Sequence, residues 1–156
     1  MSSQQYVPAR LFTIEQANAM LPLVRAITSD LSSLARDVIE RRHRLAMIAD
    51  GRELKSGDPY SDELAQMKAE LERDARRLRE YVDELQELGV EPKGAMEGLV
   101  DFPSLQDDRV VYLCWRLGEP EVLYWHEIEA GFGGRQALTA GSVPGLDADD
   151  DALFGQ

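Results

Sequence analysis

Apolar residues in the first third of the chain recur at alternating spacings of four and three. The series spans residues 20–48, and Arg41 is its one polar member. Such a repeat predicts a long helix with a heptad seam. Thr13 predicts where the helix begins, because its hydroxyl can cap a backbone N–H group while the side chain of Gln16 reaches back. Pro22 then either kinks this helix or restarts it.

A second heptad seam spans residues 64–88, again with one polar member, Asp74. The cluster Ser56-Gly57-Asp58-Pro59 predicts a turn between the two helices. Two seams joined by a turn predict a long antiparallel two-helix hairpin, coiled-coil-like, over residues 13–89. We expect Arg41 to meet Asp74 in this hairpin and to fix its register rather than to add much stability.

Shorter segments, rich in β-branched and aromatic residues, follow residue 94. They are Leu99–Phe102, Arg109–Arg116 and Val122–Glu127, and each has the composition of a strand. Pro103 predicts the end of the first segment, since proline cannot donate to a sheet. The pattern predicts a small three-stranded antiparallel β-meander over residues 98–128, and therefore an α+β fold class.

The two ends of the chain differ from its middle. Residues 1–10 predict a flexible N-terminal arm, and residues 140–156, with small and acidic side chains, predict a disordered acidic tail. Residues 11–139 are then a single α+β domain, a size that suffices to bury a core. Two helices do not bury every apolar position, and the spare stripe that includes Leu23 and Ile39 predicts a homodimer.

Composition narrows the class of protein. The 156 residues are 44% hydrophobic and 29% charged, with a net charge of −12, which is typical of a globular domain. The negative charge argues against nucleic acid and anionic membranes as partners. One cysteine excludes an internal disulfide, and we find neither a signal peptide nor an apolar run that could span a membrane. These features predict a cytoplasmic protein.

Side chains alternate along a strand, so the two faces of the predicted sheet can be separated. One face is apolar and should pack on the helices, with Leu113 opposite Trp125. The other face is polar and aromatic. Its members are Asp101, Tyr112, Cys114, Arg116, Tyr124 and His126, with Glu119 and Arg135 on loops nearby.

The polar face is the best candidate for a function. Aromatic and arginine side chains are enriched at contact surfaces, which predicts a binding site for an unknown protein or a small anionic ligand. The candidate ligand-binding residues are Tyr112, Arg116, Tyr124, His126 and Arg135. The alternative is the solvated outer face that antiparallel sheets commonly have.

A metal site is the narrower hypothesis for the same face. His126, Asp101 and Glu119 could supply three ligands for zinc or another divalent ion, which would allow a small metal-dependent hydrolase. A single strand histidine is more often a hydrogen-bonded structural residue. Cys114 lies in the middle of a strand, where we interpret it as a buried structural cysteine rather than a nucleophile.

Several motifs together resemble a known family. They are Leu99–Pro103, Val111–Glu119, Tyr124–Glu127, Gly131–Gln136 and the opening Phe12–Asn18. This combination resembles the bacterial family catalogued as domain of unknown function 2203. The resemblance covers residues 11 to 138, and it implies an architecture without implying a reaction.

Overall fold

The computed structural model describes residues 7–50 and 59–138. Within them, two α-helices precede an antiparallel sheet whose five strands follow one another in chain order. The elements are α1 (Ile14–Ala49), α2 (Pro59–Glu87), β1 (Glu91–Gly94), β2 (Leu99–Gln106), β3 (Arg109–Arg116), β4 (Tyr124–Glu127), a short 3-10 helix (Phe132–Gly134) and β5 (Gln136–Ala137). The α+β class is therefore confirmed. The sequence predicted three strands, whereas the described residues form five. Neither helix is apolar enough over a sufficient length to cross a bilayer within these ranges.

Helix α1 begins as its sequence predicts. The Thr13 hydroxyl accepts a hydrogen bond from the Gln16 backbone N–H at 3.0 Å, and the Gln16 side chain accepts one from the Thr13 backbone N–H at 3.0 Å. Pro22 lies inside the helix without interrupting it, so the helix does not restart there. This reciprocal cap satisfies two of the N–H groups that a helix start leaves without partners.

The two helices pack along one another. Arg41 and Asp74 form the predicted ion pair. Further along α2, Leu85 is buried in the same core cluster as residues 21–31 of α1, so α2 runs back along α1. The predicted turn at 56–59 falls almost wholly outside the described residues, and coiled-coil packing stays a prediction.

One face of the sheet completes the core beneath α1. Val100, Phe102 and Trp115 are fully buried there, and Leu113 pairs with Trp125 across β3 and β4 as predicted. Leu23 and Ile39 are about half exposed, at 51% and 50%. The homodimer that this exposed stripe suggests stays a prediction.

Strand β2 continues through Pro103 to Gln106, so the prediction that Pro103 ends the strand was wrong. The Pro103 carbonyl accepts a hydrogen bond from the Phe12 N–H at 2.7 Å, on the side away from β3. The N and O atoms of a strand residue point the same way, so the missing N–H of Pro103 costs no bond to β3. The strand ends instead at Asp107 and Asp108, whose φ angles of 50° and 62° form the hairpin turn to β3.

The two additional strands lie at the edges of the sheet. Strand β1 contains Pro92 and Gly94, which are both unfavourable in strands, and β5 has only two residues. Neither segment has the alternation by which a strand is recognised. Their pairing depends on the neighbouring strands rather than on their own propensity.

The connection before β2 depends on Gly98. Its φ of +69° suits glycine, and an added Cβ atom would lie 2.5 Å from the Leu117 Cβ atom. Gly118 has a φ of +106°, but an added Cβ atom there would meet nothing within 4 Å. We expect Gly98→Ala to lower the free energy of unfolding by about 3 kcal/mol, from strain and overlap together, and Gly118→Ala by about 1 kcal/mol, from strain alone. Urea denaturation measures both, and equal losses would contradict the close packing of Gly98.

Candidate functional site

The sheet face turned away from the helices, here called the outer face, carries the candidate site. Strand register places Asp101 opposite Cys114 and Tyr112 opposite His126. These four residues are only 2 to 4% exposed. The outer face is therefore not the solvated surface that antiparallel sheets commonly present, and another part of the chain has to cover it.

The cover is residues 128–135, here called the covering segment. It follows β4 and turns over the outer face through the 3-10 helix. Arg135, at its end, donates a hydrogen bond to the Cys114 carbonyl at 3.3 Å and to the Glu119 carboxylate at 2.5 Å. Glu119 also accepts a bond from the Arg116 backbone N–H at 2.6 Å. Charge-assisted hydrogen bonds of this kind are stronger than neutral ones, so Arg135 fixes the covering segment to β3.

Aromatic contacts strengthen this attachment. The Arg135 guanidinium carbon lies 4.0 Å from the ring centre of Tyr124 and 4.7 Å from that of Phe132. The Arg116 guanidinium carbon lies 5.7 Å from the Phe132 ring centre. Each distance is within the range of cation–π attraction. Arg116, Tyr124 and Arg135, which the sequence suggested as ligand-binding residues, therefore help to hold the covering segment in place.

A cavity of about 260 Å³ remains between the covering segment and the sheet. Its polar floor is formed by Asp101, Tyr112, Cys114 and His126. Its remaining lining is largely apolar, from Leu99, Ile128 and Phe132, with Lys93 and Gly131 completing it. Of the five candidate ligand-binding residues, Tyr112 and His126 line this cavity. A small cavity with apolar walls and a few convergent polar groups is the usual form of a ligand site.

The hydrogen bonds of His126 indicate which of its ring nitrogens carries a hydrogen. Nδ1 lies 2.7 Å from the Glu127 carbonyl oxygen, which can only accept, so Nδ1 carries a hydrogen and donates. Nε2 lies 3.1 and 3.2 Å from the two carboxyl oxygens of Asp101. A bare Nε2 facing an ionised carboxylate would bring two acceptors together, so one further proton lies between His126 and Asp101.

Burial changes the acidity of the groups on the cavity floor. It raises the pKa of the Asp101 carboxyl above its usual value, while the charge of His126 acts in the opposite direction. Burial, with the nearby Asp101 charge, raises the pKa of the Cys114 thiol to about 12. Burial and Glu91 raise the pKa of Tyr112 as well. Cys114 is therefore a neutral thiol near pH 7, which fits its interpretation as a buried structural cysteine rather than a nucleophile.

Three potential metal ligands meet on the same floor. One atom each from Asp101, Cys114 and His126 lies within 4.8 Å of the other two. The sequence-based metal hypothesis included the first and last of these, together with Glu119. In the structure the Glu119 carboxylate is held by Arg135, and Cys114 occupies the third place. The register of β2 and β3 pairs Cys114 with Asp101. Aligning the first two predicted strands is therefore the step that would identify Cys114 as the third ligand.

A second, larger cavity of about 350 Å³ lies between the N-terminal segment and the β2–β3 hairpin. It is lined by apolar and uncharged polar residues that include Leu11, Ile14, Leu105 and Leu138. None of its lining residues titrates or ligates metals. Of these two cavities, the smaller one on the outer face therefore has the chemistry of a functional site.

The structure thus defines an α+β protein whose antiparallel sheet is covered by helices on one face and by the covering segment on the other. The chain belongs to the family described as "Uncharacterized conserved protein (DUF2203)", whose family model matches residues 10–138. The resemblance seen in the sequence is thereby confirmed. No match was found among curated proteins or among solved structures.

Accessibility of Cys114 tests whether Arg135 holds the covering segment. We expect the native thiol to react slowly with a disulfide reagent, because it is buried and neutral. Arg135→Gln should raise the labelling rate by roughly tenfold or more, since it removes two hydrogen bonds of a charged group. Arg116→Gln should change the rate by less than about threefold, because one exposed cation–π contact is weak.

The absorbance of the thiolate that the reagent releases measures these rates. The same reaction with urea-unfolded protein gives the reference rate for an accessible thiol. Equal rates for Arg135→Gln and the unmodified chain would show that Arg135 does not control the covering segment.

Proposed function

We propose that this chain is a non-enzymatic binding module for a small molecule with one polar end and an apolar body. The molecule occupies the outer-face cavity, with its polar end on His126 and Asp101. The observation that carries this proposal is the burial of two ionisable side chains at the floor of a cavity with largely apolar walls. Buried polar groups are costly unless they are partnered, and a functional site is a common reason to keep them.

The size of the cavity limits the ligand. A volume of about 260 Å³ equals that of roughly nine molecules of liquid water. The ligand is therefore about the size of one six-membered ring with a short polar substituent. Leu99 and Phe132 would contact the ring, and the proton shared by His126 and Asp101 allows the floor to donate or to accept a hydrogen bond.

Charge favours an uncharged polar group over the small anion considered from the sequence. Lys93 lies 3.2 Å from Glu91, and Arg135 lies 2.5 Å from Glu119. Lys93, which lines the cavity, and Arg135, which holds the covering segment, are thus each already paired with a carboxylate. An anionic ligand would have to compete with these carboxylates for the same cations.

Binding is also favoured over the alternative of a metal-dependent hydrolase that uses His126, Asp101 and Glu119. That mechanism needs the Glu119 carboxylate in the cavity as ligand or base. Arg135 and the Arg116 backbone N–H hold this carboxylate instead, and Glu119 does not line the cavity. The geometry therefore offers hydrogen bonds to a ligand but does not place the Glu119 carboxylate where this hydrolase would need it.

Filling the cavity should abolish binding. Leu99→Trp places a larger ring into the cavity, so the chain should no longer bind ring-containing alcohols and amides such as benzyl alcohol and benzamide. Leu23→Trp introduces the same side chain on the exposed side of α1 and should leave binding unchanged. Saturation-transfer NMR on the three proteins, prepared free of metal, measures the difference.

Thermal unfolding serves as the control for folding in both tryptophan variants. Signals from the two compounds that persist in Leu99→Trp would place binding elsewhere. The absence of any signal from these compounds with the unmodified chain would overturn the proposed ligand class.

A further inference from the structure

We propose that Asp101, Cys114 and His126 form a binding site for one divalent transition-metal ion, with zinc as the best match to the ligand set. The site lies at the floor of the outer-face cavity. It goes beyond the proposed function, because it requires Cys114 and no organic molecule, and the ion would take the place of the proton that Asp101 and His126 share.

The donor types fit this class of ion. Cysteine sulfur, histidine nitrogen and aspartate oxygen are the three protein donors that zinc takes, and the mixture of soft and harder donors does not suit magnesium or calcium. The chain has a single cysteine and two histidines. The cysteine and one of the histidines meet here with a buried aspartate, whereas the other histidine, His43, is exposed on α1.

The spacing of the donors also fits. The His126 Nε2 atom lies 3.1 Å from one Asp101 oxygen, and two ligands of a tetrahedral zinc ion are separated by roughly 3.3 Å. The three donor atoms lie within 4.8 Å of one another, so small side-chain rotations would bring them around one ion. They come from three adjacent strands, and Asp101 pairs directly with Cys114 in the sheet. Strands hold such positions more rigidly than loops do.

The orientation of His126 is that of a metal ligand. Nδ1 donates to the Glu127 carbonyl at 2.7 Å, which fixes the ring and aims Nε2 at the other two donors. Histidines that bind metals almost always use their second nitrogen in this way, because the hydrogen bond sets the tautomer and the ring angle. The hydrogen bond is already present without an ion, so the ligand is oriented in advance.

Three protein donors leave one tetrahedral position open. That position faces the outer-face cavity, because all three side chains line it. Sites with three protein ligands and a free position bind water or an exchangeable ligand there. Entry of the ion would displace the thiol proton of Cys114 and the proton shared by Asp101 and His126. The ion brings two positive charges and the two protons remove two, so the net charge of the site does not change.

Cobalt(II) tests the site directly, because it takes zinc sites and reports its ligands by absorbance. We expect titration of the full-length, metal-free protein with Co²⁺ to saturate at one ion per chain, with a near-ultraviolet thiolate-to-cobalt charge-transfer band. Zn²⁺ should abolish the band. Since Cys114 is the one cysteine, the band in the unmodified chain identifies that ligand even if a Cys114 variant fails to fold.

Four variants assign the remaining ligands. Cys114→Ser should remove the charge-transfer band. His126→Gln and Asp101→Asn should each weaken Co²⁺ binding at least tenfold, because the loss even of a group that only hydrogen-bonds to a metal ligand typically weakens binding by about that much. His43→Gln should bind as the unmodified chain does. A titration without the band, a band that persists in Cys114→Ser, or equal losses in His43→Gln and His126→Gln would overturn the metal site.

The outcomes are separate from those of the ligand proposal. Benzamide binding is measured in metal-free protein and is lost in Leu99→Trp, whereas the cobalt band requires Cys114 and no organic molecule. Failure of the cobalt titration with intact benzamide binding overturns only the metal site, and the reverse result overturns only the proposed ligand class.

Discussion

The hydrogen bonds that join His126 to Asp101 lie on the sheet face that no helix covers, yet both side chains are only 3% exposed. An ionisable pair removed from water is tolerated only if every polar atom finds a partner. Nδ1 of His126 finds the Glu127 carbonyl, and Nε2 shares a proton with the Asp101 carboxyl. Replacing such a pair with apolar side chains is often neutral or stabilising. Stability alone therefore gives little reason to keep it, and a site gives a better one.

Burial of this pair requires a second layer over the sheet. The helices supply the first layer, in which Trp115 and Phe102 are fully buried. The covering segment supplies the second, and its attachment depends on Arg135, which contacts Glu119, the Cys114 carbonyl and two aromatic rings. Arginine suits this position because its planar fork binds a carboxylate and stacks on rings at the same time. The cavity exists because this attachment holds the segment over the sheet without filling the space beneath.

Much of this fold could be predicted from local rules. The heptad seams and the Thr13 cap located the helices, and strand alternation identified the side chains of the outer face together with the pairing of Leu113 with Trp125. Strand β1 could not be predicted, because Pro92 and Gly94 oppose a strand by their own propensity. The path of β2 through Pro103 depends on the Phe12 N–H, a partner about ninety positions away in the sequence.

The candidate site, too, was predicted only in part, because local rules do not report contacts between residues distant in the sequence. His126 and Asp101 were expected together, since they share a face. Alternation cannot show that Arg135 and Glu119 would pair with each other, which takes Glu119 away from the metal hypothesis. It also cannot show that a loop closes over the face and converts an open surface into a cavity. Both features arise from tertiary contacts of residues 128–135.

The state of the His126 ring tests the central claim most directly, namely that the pair is buried beneath the covering segment and that Nδ1 of His126 donates to the Glu127 carbonyl. Long-range proton–nitrogen NMR distinguishes the two ring nitrogens, and the exposed His43 provides an internal reference. We expect the His126 Nδ1–H signal to be visible and slow to exchange with water, because the Glu127 carbonyl and the covering segment protect it. A bare Nδ1, or exchange as fast as that of His43, would show that the pair is open to solvent and would contradict the account.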